Sequence, residues 1–232
     1  MELQMLDFVD GARKARGTVV IIDVFRAFST ACYAFANGAS SVIAVGEIDE
    51  ARRLKSSNPG WVLIGERGGK KLEGFDYNNS PTEIEEVDLE GKTVVLTTHA
   101  GTQGLVHATS SDQLLTGSFV NAKTTVQHIL SKAPSRVSLV RMGVEATRRA
   151  NEDDLCSEYF KSLLLDLPFD TSKIKTTLRV APSSARFFDD NKPWSPMRDF
   201  DLCLDADRFD FALQVQVRSA GLATLEQVSR VD

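Results

Sequence analysis

No apolar run in this chain approaches the ~20 residues that a membrane span needs. Its start, MELQMLDFVDGARKARG, lacks the basic-then-apolar order of a secretory signal. A basic stripe is missing too. Arginines are scattered, and the net charge of −5 gives no electrostatic case for nucleic acid. Cysteine is scarce. Cys32, Cys156 and Cys203 are odd in number and far apart, which argues against a disulfide framework and against a zinc site. Reduced thiols in a cytoplasmic protein are the reading that remains. Low-complexity tracts are absent, and no linker marks a boundary. The 232 residues therefore read as one domain, 1–232, in which two lobes are not separable by sequence.

What is present is a repeated unit. Short β-branched apolar runs at 18–24, 40–46, 61–65, 92–98 and 136–140 alternate with helical stretches, and DQLLTGS (112–118) precedes a further helix. Runs of this length, bounded by turn chemistry, predict an α/β fold with a largely parallel or mixed sheet flanked by helices. Polar strings follow Ile22, Ile64, Leu96 and Val140. In open α/β sheets the carboxyl ends of strands are where ligands bind, so four polar strings are expected in one crevice. The C-terminal third is harder to read. Residues 168–200 look like a helix–loop excursion, and DFDLCLDADRFDFALQVQV is expected to add an edge strand and a covering segment.

Two strings load carboxylates, arginines and glycines where a fold alone would place a plain turn. In IIDVFRAFST, Asp23 follows a strand and Arg26 comes three residues later. Asp23 either binds a metal or moves a proton, with Arg26 on an anion, or it caps a helix and pairs with Arg26. In GERGGKKLEGFDYNNSP, Glu66 and Arg67 end a strand, Gly68 and Gly69 let backbone approach a ligand, and Asp76, Asn79 and Ser80 cluster before Pro81. Such an oxygen-rich loop suits Mg²⁺; the plainer reading is a polar hairpin with Asx turns. TTHAGTQG offers Thr97, Thr98, Gly101 and Thr102 to anion oxygens, but has no GK[ST] end and is not a Walker A loop. Ser118 and Asn121 sit at another strand-to-helix junction, where capping competes with ligand binding. Glu152 and Asp153 open a helix, where the dipole alone favours acids; Cys156, one turn on, reads as a small core residue.

Together these strings resemble the 2-phosphosulfolactate phosphatase (ComB-like) family. The resemblance rests on Asp23, Arg26, Ala27, Ser29 and Thr30; on Gly65, Glu66 and Arg67 followed by Gly74, Phe75, Asp76, Asn79, Ser80, Pro81 and Glu83; on Gly117, Ser118 and Asn121; and on Glu152, Asp153 and Cys156. Two departures stand out. The family often reads Thr-Thr-Thr-Asn-Gly-Thr where this chain has Thr97, Thr98, His99, Ala100, Gly101 and Thr102, and its small turn after the late strand appears here as Arg141, Met142 and Gly143.

The resemblance implies a Mg²⁺-dependent phosphatase that releases phosphate from 2-phosphosulfolactate and leaves 3-sulfolactate, a step toward coenzyme M. Its partner would be a small anionic phosphorylated substrate, with neither nucleic acid nor membrane, and the sheet edges leave room for a homodimer. Metal ligands are expected among Glu66, Asp76, Glu152 and Asp153, and catalytic roles among Asp23, Arg26, Glu66, Arg67 and Asp153. Gly68, Gly69, Asn79, Ser80, Thr97, Thr98, Gly101, Thr102, Ser118 and Asn121 are the expected substrate contacts. A covalent phospho-aspartate has less support, because no DxDx[TV] string of the haloacid-dehalogenase type is present. The rival readings are a phosphatase for another small acidic phosphoester and a non-catalytic anion-binding protein.

Overall fold

The computed structural model describes residues 1–219 and 221–229. Its strands are β1 (Glu2–Asp7), β2 (Thr18–Ile22), β3 (Ser41–Val45), β4 (Val62–Arg67), β5 (Lys70–Lys71), β6 (Thr93–Thr97), β7 (Gln113–Gly117), β8 (Arg136–Arg141), β9 (Phe211–Ser219) and β10 (Leu222–Ser229). Helices are α1 (Phe8–Lys14), α2 (Ala27–Ala36), α3 (Ile48–Ser57), α4 (Pro81–Ile84), α5 (Gly101–His107), α6 (Ala122–Ser131), α7 (Asn151–Leu164), α8 (Ile174–Arg179) and α9 (Met197–Cys203). The strands form one mixed sheet in the order β1-β8-β2-β7-β9-β10-β3-β6-β4-β5.

Strand β2, TVVII, explains how the layers arise. All five residues are buried. Val19 and Ile21 point into one core with α2 and α5, and Val20 and Ile22 into a second core with α6 and α7. A β-branched run with no polar face is what a strand covered on both sides requires. Helix α2, AFSTACYAFA, is buried at every position except Ala36, so its small residues let it lie close against the sheet.

The sheet has two parallel blocks. One holds β1, β8, β2 and β7; the other holds β3, β6 and β4. The β9–β10 hairpin joins them through antiparallel pairs on both sides. This corrects the expectation of an edge strand: the C-terminal segment lies mid-sheet. Its alternating QVQV pattern looks like a half-exposed edge, and only the pairing partners reveal its position.

Three successive antiparallel pairings reverse the second block relative to the first. Six strand-to-strand steps separate β2 from β4. At the usual twist these turn the strand direction by roughly 120–150°. The rotation brings the carboxyl ends of the two blocks back to one side, where the candidate site forms.

Candidate active site

Asp23 follows β2, Glu66 ends β4, His99 and Ala100 follow β6, and Gly143 follows β8. All border one cavity of about 440 Å³, within the usual range for small-molecule sites. Glu152 reaches it from the first turn of α7, and Ser183 and Arg186 from a 3₁₀ turn at Pro182–Phe188. Gly68, Gly69, Asn79, Trp194 and Ser195 complete that wall, and Arg148, Arg149 and Lys192 add positive charge.

Three carboxylates dominate the interior. Glu66 is fixed by two backbone donors: the His99 N–H reaches Oε1 at 2.9 Å and the Gly69 N–H reaches Oε2 at 2.7 Å. Gly69 does this at φ +81°, where a side chain would be strained. Asp23 accepts a longer bond from the Ala27 N–H at 3.3 Å. Burial raises its pKa to about 7; the charges of Glu66 and Glu152 push the same way, against the Ala27 bond and Arg186. Glu152 is raised as well, first by burial, and its Oε2 has no partner. Gly101 explains how α5 comes so close: a Cβ there would lie 2.7 Å from both Asp23 Oδ2 and Ala27 Cβ.

Asp153 is deeper. Its two oxygens accept the Val24 N–H at 2.9 Å and the Gly143 N–H at 2.7 Å, which ties the ends of β2 and β8 together. Burial, then Glu152 and Asp23, hold its pKa well above the carboxylate range. It does not line the cavity wall.

Several other expected residues serve the frame instead. Arg26 borders the cavity but is 2% exposed, and it donates to Asp199 at 2.6 Å, the Trp194 carbonyl at 3.1 Å and the Gly69 carbonyl at 3.0 Å. Arg67 turns to the Glu66 and Gly46 carbonyls and to Thr97 Oγ1. Asp76 is exposed and away from the cluster, accepting from the Leu63 N–H at 2.7 Å and from Lys55 at 3.1 Å. The metal role expected of Asp76 is thus not supported by its position, because the loop that carries it turns the carboxylate to Lys55 of α3 and the Leu63 N–H. Thr98 and Thr102 close their turn on each other. Ser80 donates to Asp199. Ser118 donates to Asn121, which donates to the Phe211 carbonyl at the start of β9. Arg141 pairs with Asp7 at 2.8 Å, outside this cavity. Cys156 is fully buried with its pKa pushed up, so its thiol is not a ready nucleophile.

Sequence reasoning missed Arg186, Asp199 and Trp194. Asp199 collects Arg26, Ser80 and Thr82, including the Thr82 N–H at 2.9 Å. All three lie in the segment that reads as an irregular excursion, and no local pattern marks them.

The chemistry of the donor set fits a hard divalent cation held partly by substrate. Glu152 Oε2 and Asn79 Oδ1 are enclosed oxygens with no partner. Among the described residues no three His, Cys, Asp or Glu side chains are grouped so that they could hold a metal ion by themselves. Mg²⁺ needs only one or two carboxylates, with water and substrate filling its octahedron.

A family model described as 2-phosphosulpholactate phosphatase matches residues 6–192. The chain belongs to this family. A Bacillus subtilis (strain 168) protein described as a probable 2-phosphosulfolactate phosphatase is 31% identical over 212 residues, covering 90% of this chain and 91% of its own length. Proteins with the same description from Caldicellulosiruptor saccharolyticus and Carboxydothermus hydrogenoformans are 42% identical over 151 residues and 38% over 167. The former match covers 63% of this chain and 62% of the relative, the latter 72% and 68%. The family match ends at residue 192, before Trp194, Asp199 and the central hairpin. Among the described residues no helix is long and apolar enough to cross a membrane.

Proposed function

We propose that this protein is a Mg²⁺-dependent phosphatase that hydrolyses 2-phosphosulfolactate to 3-sulfolactate and phosphate, a reaction of the coenzyme M biosynthesis type. The observation that carries the reading is the meeting of Asp23, Glu66 and Glu152 with Arg186 around one cavity, in a chain of this family. Bound Mg²⁺ would neutralise phosphate oxygens and polarise the phosphorus. Glu152 and Asn79, with unpartnered oxygens, and Glu66 are the residues to hold it.

The chain's own groups do the rest. Asp23, at the end of β2, takes the proton of the attacking water as the new P–O bond forms. The bond to the ester oxygen breaks in line, and that oxygen takes the proton now held by Asp23 and leaves as the alcohol. Catalysis here is positioning and charge balance rather than covalent chemistry. The Glu66 carboxylate is held by two backbone donors, so it is oriented before substrate arrives. Arg148, Arg149 and Lys192 offer positive charge to the carboxylate and sulfonate of the substrate.

The deciding experiment measures phosphate release from 2-phosphosulfolactate with Mg²⁺ and with chelator, beside Glu152→Gln. Release that needs Mg²⁺ and fails in the variant supports the reading. Release unaffected by chelation removes the metal. A preference for another phosphorylated three-carbon acid keeps the phosphatase and moves the substrate, an outcome for which His99 and Ala100 in the cavity wall provide the reason.

A further inference from the structure

An enclosed guanidinium without a counter-ion is uncommon, because an ion leaves water at a steep cost unless it is paired. Arg186 comes close to this: its side chain is part-buried in the cavity wall and its Nε is enclosed. One hydrogen bond is recorded for its side chain, from Nη2 to the Phe25 carbonyl at 2.8 Å. Nε is enclosed with no acceptor, and among the described residues no carboxylate lies within ion-pair distance. The guanidinium packs 4.9 Å from the Phe187 ring, which holds it without neutralising it. The charges it does feel are Glu152, Glu66 and Asp23 in its favour and Arg26 against it.

The other cations of the cavity wall are differently placed. Arg26 is neutralised by Asp199 and donates to two carbonyls. Arg149 is bound to Asp154 at 2.6 Å and is exposed, as is Arg148. Lys192 leans toward Asp189 at 3.4 Å. A phosphate brought among three carboxylates needs an enclosed positive charge with donors to give, and Arg186 retains both.

We propose that Arg186 binds the phosphoryl group of the substrate. This rests on the phosphatase reading above and assigns within it a residue that the sequence strings do not contain. Arginine suits the task because its planar fork matches phosphate oxygens, whereas lysine supplies charge alone.

Calorimetry with inorganic phosphate tests this without turnover. Wild-type protein binds phosphate. Arg186→Ala weakens binding by about 10- to 100-fold, the loss expected for charge-assisted hydrogen bonds. Arg186→Lys falls between, and added guanidinium restores part of the affinity of Arg186→Ala. Arg53→Ala, which removes an exposed arginine on α3, leaves the affinity unchanged. If Arg186→Ala loses its cooperative melt, the charge-preserving Arg186→Lys decides. Unchanged affinity in Arg186→Lys and Arg186→Ala overturns the proposal, as does wild-type protein that does not bind phosphate. Failure of the phosphatase reading looks different: phosphate binds through Arg186, yet no phosphoester is cleaved.

Discussion

At the scale of single residues, the site is a place where folding and chemistry oppose each other. Asp23, Glu152 and Asp153 are buried acids whose charges repel. Glu152→Gln removes one charge and keeps the shape, and Glu152 Oε2 has no donor to lose. The variant should melt higher than wild type in metal-free buffer at neutral pH, by roughly 1 kcal/mol, while turnover collapses. A lower melting temperature would mean that Glu152 is structurally paired in solution. Asp153 should behave oppositely. Each of its oxygens accepts a backbone N–H, so Asp153→Asn turns a donor toward a donor. Calorimetric melting should show a loss of about 1–3 kcal/mol. Asp76→Ala should leave kcat/KM within about 2-fold, because the carboxylate lies away from the cavity, and should cost about 1 kcal/mol of stability, because the Leu63 N–H loses its acceptor. A severe loss of activity in that variant would place Asp76 back in the site. Asp23, Glu66 and Glu152 were legible as candidates because each sits at an end of a recognisable element. Their distinction from Asp76 was not, since an Asp in an oxygen-rich loop looks the same whether it faces the cavity or solvent. Arg186 was invisible for the converse reason: its neighbours in sequence carry no chemistry.

At the scale of elements, five strands could be read from β-branched runs, and four of their carboxyl-end strings meet as the layout of α/β sheets requires. The C-terminal hairpin could not be placed, because the polar residues alternating along β9 give the same pattern at an edge and in a half-covered centre. Its position is testable. Val215 pairs with Leu114 on one side and Leu225 on the other. Val215→Pro removes one donor and leaves a partner carbonyl unsatisfied at about 1–3 kcal/mol, with ring clashes added. Soluble expression and denaturant midpoint should both fall; an edge strand would tolerate the change. Helix α6 carries a second test. His128 is buried, Nδ1 has no partner, and burial with Lys132 lowers its pKa below 6.5. The unfolded chain therefore binds a proton first as pH falls below about 6.5, and stability is lost there until the folded pKa is passed. His128→Asn should flatten the melting temperature between pH 7 and pH 5. An unchanged profile would assign the acid sensitivity elsewhere.

At the scale of the whole molecule, the candidate site is divided between two blocks of sheet. Asp23 and Glu152 belong with β2 and β8, Glu66 with β4, and the β9–β10 hairpin is the seam. Such long-range pairing is slow to form and costly to leave incomplete. A fragment of residues 1–209 should lack a cooperative melt and should expose the flanks of β7 and β3 to aggregation. Hydrogen exchange would show this as missing protection in both blocks; protection in either alone would mean that the blocks fold independently. The seam also bears on synthesis. A nascent chain interrupted just short of residue 211 already holds Asp23, Glu66, Glu152 and Arg186, yet has no scaffold to bring them face to face. Products that stop before the hairpin are therefore expected to be silent even when they retain the side chains of the candidate site.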